Sequence, residues 1–193
     1  KKHERLESSK KIAEFKLLAL RSQMNSHFIF NALNSIQHFI TINDKHAAIS
    51  YLSKFAKLIR QILENSTHNT IPIINEINLI RYYLELESLR FENKFDYFIH
   101  VDESIDEHTS EIPPMLIQPF VENAIIHGLM NKNEKGFVKI TLLNQNNCVT
   151  CIVEDNGVGR AKAEEIKSKK IVEHRSMGMI ITDERLQIIN RKQ

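Results

Sequence analysis

A histidine among polar side chains in the first predicted helix is the first candidate for chemistry. Residues 23–34 read QMNSHFIFNALN, which places His27 among Gln and Asn side chains. On an ideal helical wheel His27 lies about 150° from the centre of the main apolar stripe. A neutral imidazole in such a position can act as a nucleophile or carry a proton. A surface histidine without a role would look the same, but asparagine is a poor helix former, and four asparagines fall at 25, 31, 34 and 43.

A second candidate group interrupts an otherwise apolar helix. In QPFVENAIIHG, residues 118–128, the polar members are Glu122, Asn123 and His127. Asn123 and His127 are four residues apart and are therefore neighbours on a helix. An amide oxygen beside a carboxylate suits a hard cation such as Mg²⁺, with water and phosphate completing its ligands. A partly exposed amphipathic helix would show the same pattern, so this segment alone leaves both interpretations open.

A glycine-containing turn after a predicted strand forms the third group. The sequence DNGVG begins at Asp155, and Gly157 and Gly159 would let the backbone approach a ligand closely. A carboxylate at a strand end can accept a hydrogen bond from the amino group of a base. A plain Asn-Gly turn would read the same way. The close succession of a polar-interrupted helix, a strand hairpin and this turn favours a binding site.

The fourth group lies where a charged segment meets a predicted helix. Residues 176–186 read SMGMIITDERL, with Gly178 at the helix start. The N–H groups at a helix N-terminus can bind phosphate, although an ordinary helix after a loop would look alike.

The two cysteines form a CxxC pattern at Cys148 and Cys151. On a strand these positions point to opposite faces. Because there is no second cysteine pair, we expect both to pack in the interior rather than to bind metal.

Two long helices are predicted over residues 1–70, which contain neither glycine nor proline. The break between them falls at 41–44, where Asn43 or Asp44 can cap the second helix. The apolar stripe of the first helix contains Phe15, Leu18, Ile29, Leu33, Ile36 and Ile40, and that of the second contains Ile49, Leu52, Phe55, Ala56, Ile59, Ile62 and Leu63. A hairpin of two such helices buries too little by itself, so we expect it to dimerise into a four-helix bundle.

Helices and strands are mixed in residues 71–193. The patterns predict, in order, a helix over 76–91, a strand over 95–101, a helix over 115–130, strands over 137–143 and 148–154, a mobile segment over 160–175 and a helix over 178–191. This order predicts an α+β layer that is separate from the helical hairpin.

Composition excludes several classes of protein. The 26 Lys+Arg and 24 Asp+Glu residues of this 193-residue chain give a net charge of +2, which lacks the basic excess typical of nucleic-acid binding. A content of 42% hydrophobic and 26% charged residues is ordinary for a globular chain. Because of the charge balance we expect no direct nucleic-acid partner. No apolar run approaches the length of a membrane span.

Taken together, the four segments resemble the cytoplasmic kinase core of LytS/YehU-type sensor histidine kinases, over roughly residues 15–190. QMNSHFIFNALNSI resembles the phosphoacceptor box of that family, QPFVENAIIHG its N box, DNGVG its first glycine box, and SMGMIITDERL its second glycine box with the helix behind the ATP lid. The resemblance implies dimerisation and phosphotransfer helices over 1–70. It implies a Bergerat-type (GHKL) α/β sandwich that binds ATP over 71–193, lacking its last strands.

The resemblance also implies a role for each candidate residue. His27 would accept the γ-phosphoryl group of ATP and pass it to an aspartate of a response regulator, which we expect to be of the LytTR type. Asn123 would bind Mg²⁺ on the ATP phosphates. Glu122 and His127 would flank the triphosphate, and Asp155 would bond the adenine amino group. Gly157 and Gly159 would shape the base pocket, and Gly178 would form the phosphate lid.

Three departures from the family pattern affect these expectations. Ser26 stands where the family has proline, which would bend a helix, so we expect a straighter helix here. Phe28 stands where another kinase class has an acidic residue, so no base for His27 can be named. The family continues with a further β segment after Gln193, and its sensor would precede Lys1. We therefore expect the cytoplasmic portion of a bacterial inner-membrane protein.

Two other functions remain open from the sequence. A degenerate kinase would bind ATP or only dimerise, without phosphotransfer; Ser26 and the missing last segment favour it, whereas the intact N box and first glycine box favour an active kinase. A Bergerat-type ATPase with Glu122 as base would release phosphate, but it would leave the helical hairpin without a role.

Overall fold

The computed structural model describes residues 26–145 and 148–159, with side chains from residue 28 onward. The helices are α1 (Ser26–Thr41), α2 (Lys45–Ser66), α3 (Ile73–Arg90) and α4 (Gln118–Asn123), and α4 continues as a π-helical segment, Ala124–Leu129. The strands are β1 (Ile71–Pro72), β2 (Phe95–Val101), β3 (Glu111–Ile112), β4 (Gly136–Gln145) and β5 (Cys148–Asp155). This mixture confirms the α+β prediction. The predictions for 160–175, Gly178 and the last helix, and for the side chain of His27, lie outside the described residues.

A tight turn between α1 and α2 makes the two helices a hairpin. Asn43 adopts a left-handed φ of 58°, which asparagine tolerates better than most residues. Asp44 caps α2, because its Oδ1 accepts a hydrogen bond from the Ala47 N–H at 2.9 Å. The predicted break at 41–44 and the predicted cap are therefore confirmed, with Asp44 as the capping residue.

The hairpin packs on α3, and the two share one hydrophobic core. Tyr51 and Leu58 of α2 are fully buried in this core. The inward residues predicted for α3, Ile77, Ile80, Tyr83 and Leu84, are all fully buried and confirm the predicted face. The ring of Phe28, at the start of α1, lies 5.3 Å from the ring of Tyr83. The first turn of α1 is thus held against α3.

A second apolar face of the hairpin points away from this core. Its large side chains are between 47% and 66% exposed, and they are Phe30, Leu33, Ile40, Ile42, Ile49, Leu52 and Leu63. Most of them belong to the stripes that the sequence identifies. The buried residues of α2 are Ala48, Tyr51, Leu58, Ile62 and Asn65, of which only Ile62 belongs to the predicted stripe.

Two small sheets complete the fold. The larger has the order β2-β4-β5, in which β2 is parallel to β4 and β4 is antiparallel to β5. The predicted strands are confirmed within one or two residues at their ends. The smaller sheet pairs β1 with β3, so Ile71 lies opposite Ile112. This pairing ties the segment after the hairpin to the segment that leads into α4.

Two predictions about local structure are corrected. The helix expected over 115–130 begins at Gln118, and its second half is π-helical, with the Met130 N–H donating to Ile125 O at 3.0 Å. Both Cys148 and Cys151 are exposed, so the prediction that they pack in the interior is wrong.

Candidate functional site

The end of the polar-interrupted helix directly contacts the glycine turn. The Val158 N–H donates a hydrogen bond to Gly128 O at 3.1 Å. A Cβ atom added to Gly128 would lie 2.5 Å from Asp155 Oδ1, and one added to Gly157 would lie 2.3 Å from the carbonyl carbon of Gly128. At Gly157 the close atoms belong to the backbone and leave no room for a side chain, whereas at Gly128 they belong to the side chain of Asp155. The structure therefore brings the second and third candidate groups of the sequence together.

Hydrogen bonds fix the shape of the glycine turn. Asp155 Oδ1 accepts the Gly157 N–H at 2.8 Å, and Asn156 Oδ1 accepts the Phe137 N–H at 2.7 Å. Gly159 has a φ of +81°, a conformation that L-residues with a side chain rarely adopt. The carboxyl group of Asp155 thus lies at the exposed end of β5 in a defined orientation, where a ligand can reach it.

Asn123 and His127 lie on the same helical stretch and are both half-buried. Asn123 ends the α-helical part, and His127 lies in the π-helical segment. The prediction that Asn123 and His127 are neighbours assumed the spacing of an α-helix. A π-helix has more residues per turn, so the angle between the two side chains differs from the predicted one. No cluster of three His, Cys, Asp or Glu side chains that could hold a metal occurs in the described residues. A cation bound by the Asn123 amide oxygen would therefore need oxygens from a ligand and water, as Mg²⁺ commonly does.

Glu122 faces α1 and α3. It lies in a small cavity of about 10 Å³, close to the volume needed for one water molecule. The cavity is lined by Phe28, Asn31, Tyr83, Glu87, Arg90, Glu122 and Ile126. Burial raises the pKa of Glu122 to about 7; the hydrogen bond from Gln118 Nε2, at 3.0 Å, opposes this rise, and the charge of Glu87 adds to it.

The phosphoacceptor candidate can be placed only through the backbone. Residue 27 lies in the first turn of α1, next to Phe28 and one helical turn before Asn31. Because residues four apart on a helix are neighbours, this places residue 27 one turn from a side chain that lines the cavity of Glu122. The start of α1, which carries residue 27, therefore lies close to the helix that carries Glu122.

A buried ion pair beside this cavity was missed by the sequence reasoning. Glu87 is 1% exposed, and Arg90 Nη1 lies 3.0 Å from both of its carboxylate oxygens. Burial raises the pKa of Glu87, and the charge of Arg90 opposes this rise. The available signal was an acidic residue that continues the apolar stripe of α3 four residues after Tyr83.

A second buried carboxylate was also missed. Glu76, in the first turn of α3, is fully buried. Its Oε2 accepts the Met115 N–H at 2.7 Å, and its Oε1 accepts the Ile117 N–H at 3.0 Å. Both donors come from the segment immediately before α4. Glu76 lies four residues before Ile80 on the inward face, so the same stripe pattern could have identified it.

The helical hairpin with its histidine segment is followed along the chain by the QPFVENAIIHG segment, which contacts the DNGVG turn. Residues 15–95 match the family model described as histidine kinase. Together with the relatives below, this match shows that the chain belongs to the LytS-type sensor histidine kinases.

Three relatives illustrate the similarity. The sensor protein LytS of Staphylococcus epidermidis is 33% identical over 149 residues, which are 77% of this chain and 24% of that protein. The sensor histidine kinase YpdA of Escherichia coli is 35% identical over 80% of this chain and 28% of its own length. The sensor histidine kinase/phosphatase LytS of Staphylococcus aureus (strain N315) is 32% identical over 80% of this chain and 26% of its own length. The chain thus spans about a quarter of the length of these curated relatives.

Within residues 26–145 and 148–159, no helix is both long enough and apolar enough to cross a bilayer.

Proposed function

We propose that the chain is the core of a kinase that transfers the γ-phosphoryl group of ATP to His27 and then to an aspartate of a response regulator. The observation that carries this proposal is the contact of Gly128, at the end of the N box, with Asp155 and Gly157 of the glycine turn. Phosphoryl transfer requires positioning and charge neutralisation more than covalent chemistry from the protein. The N box and the glycine turn touch each other, and the N box lies beside α1, which carries His27. This arrangement suits that requirement.

The nucleotide roles that we propose are those that the family resemblance implies. Asp155, at an exposed strand end, would bond the adenine amino group, with Gly157 and Gly159 shaping the base pocket. Asn123 would bind Mg²⁺, which neutralises charge on the phosphates when it is bound. Glu122 and His127 would flank the triphosphate. Gly178, outside the described residues, would belong to the lid of a GHKL-type domain.

The outward apolar face of the hairpin supports a homodimer built as a four-helix bundle. Monomeric proteins rarely leave an apolar surface of this kind uncovered, and seven large apolar side chains of the hairpin are at least 47% exposed. A second hairpin of the same sequence would cover them by self-complementary packing. The partner of the kinase would be a response regulator of the LytTR type, and the parent protein would belong to the bacterial inner membrane.

Incubation with Mg²⁺ and γ-labelled ATP tests the phosphotransfer. We expect a label on the protein that is stable to alkali and labile to acid, and that is absent from His27→Gln. His38→Gln is the matched control, because His38 is an exposed histidine of the same helix. A His27→Gln variant that still carries the label would refute the assignment of the acceptor.

Measurements of ATP binding and of free phosphate, made beside the labelling, separate the two alternative functions. ATP binding that is lost in Asp155→Asn, without any labelled protein, would indicate a degenerate kinase that only binds nucleotide. Release of free phosphate without a phosphoprotein, abolished by Glu122→Gln, would indicate a Bergerat-type ATPase.

A further inference from the structure

We propose that Glu76 is a positioning residue for the N box: its buried carboxylate anchors the turn before α4 and thereby sets the place of Asn123. This inference rests on the proposed function, because it concerns the proposed Mg²⁺ ligand.

The carboxylate of Glu76 is surrounded by backbone N–H groups from a distant part of the chain. Both of its oxygens accept hydrogen bonds, from Met115 at 2.7 Å and from Ile117 at 3.0 Å. Burial raises the pKa of this carboxyl, and backbone N–H groups at Ile117, Met115, Gln118 and Leu116 oppose the rise. Two N–H groups of one short backbone segment therefore point at one side chain, as in an anion-binding backbone nest.

The turn that contacts Glu76 has a conformation that needs support. Met115 has a φ of +57°, in the left-handed region that residues with a side chain usually avoid. A non-glycine residue persists in this region only when its surroundings hold it there. The two hydrogen bonds to Glu76, one from Met115 itself and one from Ile117, provide that support. Without them we expect the turn to relax toward an ordinary conformation.

A change in this turn would be transmitted to Asn123 over a short distance. The helix α4 has only six residues, from Gln118 to Asn123, so Asn123 lies less than two helical turns from the anchored Ile117. The other end of the helical stretch is fixed by the contact between Gly128 and the glycine turn. Glu76 therefore controls the end of the N box that the glycine turn does not reach.

The carboxylate of Glu76 satisfies two buried N–H groups in either case, so a structural role and a positioning role must be separated by their consequences for ATP binding. A structural role predicts that substitution weakens ATP binding with and without Mg²⁺ alike. A positioning role predicts that only the Mg²⁺-dependent part is lost, because Asp155 belongs to a different element.

The test compares ATP affinity of the 193-residue chain in Mg²⁺ and in EDTA. Glu76→Gln keeps the length of the side chain but replaces one acceptor oxygen by a donor. We expect the strengthening of ATP binding by Mg²⁺ to fall about ten-fold, the effect of one lost hydrogen bond to a charged group, with affinity in EDTA unchanged. Glu85→Gln is the matched control, since Glu85 lies on the same helix but pairs with Lys54 of the hairpin. It should leave both affinities unchanged.

Amide hydrogen exchange at residue resolution tests the anchor directly. We expect slow exchange at Met115 and Ile117 in the wild-type chain, and exchange at least about ten-fold faster in a folded Glu76→Gln. Because coupling between two sites is reciprocal, ATP with Mg²⁺ should slow these two amides further, and ATP with EDTA should not. Glu76→Asp, which keeps the charge but shortens the side chain, should also accelerate them.

Three results would overturn the role of Glu76. The first is a folded Glu76→Gln in which Mg²⁺ strengthens ATP binding as much as in the wild-type chain. The second is fast exchange of the wild-type amides at 115 and 117, as fast as that of exposed loop amides. The third is exchange of these wild-type amides that ATP with Mg²⁺ does not slow. The last two need no variant, so they decide even if the substitutions prevent folding. A wild-type chain that binds no ATP in Mg²⁺ would instead refute the proposed function itself.

Discussion

The substitution Gly157→Ala tests the contact between the N box and the glycine turn. The added Cβ would lie 2.3 Å from the carbonyl carbon, 2.4 Å from the Cα and 2.5 Å from the carbonyl oxygen of Gly128. All three are backbone atoms, so no side-chain rotation can relieve the overlap. We expect the turn to move away from the π-helical segment and to break the hydrogen bond from the Val158 N–H to Gly128 O.

The size of the effect follows from these two losses. Forcing an extra carbon into a packed site costs about 1–3 kcal/mol, and the lost hydrogen bond adds about 1 kcal/mol. The expected decrease in the free energy of unfolding is therefore about 2–4 kcal/mol. For a chain of this size each kcal/mol lowers Tm by about 2–4 °C, so we expect Tm to fall by roughly 5–15 °C.

Thermal unfolding followed by circular dichroism measures this decrease, and Gly159→Ala is the matched control. A Cβ on Gly159 meets no atom within 4 Å, and its φ of +81° is the remaining source of strain. Left-handed backbone costs a residue with a side chain about 1–2 kcal/mol. Gly157→Ala should therefore melt below Gly159→Ala. The opposite order, or equal Tm values, would refute the close approach of the turn to Gly128.

Three further substitutions have distinct expected outcomes. Gly128→Ala places a Cβ 2.5 Å from Asp155 Oδ1, and the Asp155 side chain can rotate away from it. Calorimetry should therefore show ATP affinity reduced about ten-fold or more, with little loss of Tm. An unchanged ATP affinity would contradict the role of Asp155. Glu87→Gln removes a carboxyl whose pKa burial raises despite Arg90. Stability from such a group is present below its unfolded pKa and is lost as pH rises through its folded pKa, so the destabilisation measured by urea unfolding should shrink from pH 5 to pH 8; growth with pH would show a lowered pKa. Leu52→Glu, at a side chain 52% exposed, should shift sedimentation equilibrium toward monomer with Tm of the dilute monomer nearly unchanged, and undiminished association would exclude this face as the dimer interface.

Much of the fold could be predicted because its elements have strong local signals. The inward face of α3 follows from a regular helical period, and β2 follows from alternation over seven residues. The cap of α2 follows from the preference of aspartate for that position. From the order of the two motifs, the sequence predicted that the N box and DNGVG belong to one binding site. It did not predict that they touch. The boundary proposed at residue 70 and the roles of the site residues stay predictions.

The remaining features depend on contacts between distant segments. Sequence alone does not reveal that the partners of Glu76 are backbone groups near residue 116, because backbone N–H groups carry no sequence signal. The π-helical segment differs from an α-helix by one residue per turn, which periodicity over six residues cannot resolve. The hairpin has two apolar faces, and its sequence does not distinguish the face that packs on α3 from the outward face.

The parallel pairing of β2 with β4 has a consequence for synthesis on the ribosome. The hairpin is built from contacts between neighbouring segments and can form soon after it emerges. Phe95 of β2 pairs with Gly136 of β4, which at roughly 5–20 residues per second is made several seconds later. During that interval an apolar strand has no partner in its own chain and is open to pairing with other chains. The order of the strands along the chain thus makes the segment that contains β2 and β4, rather than the helical hairpin, the part that most needs a chaperone.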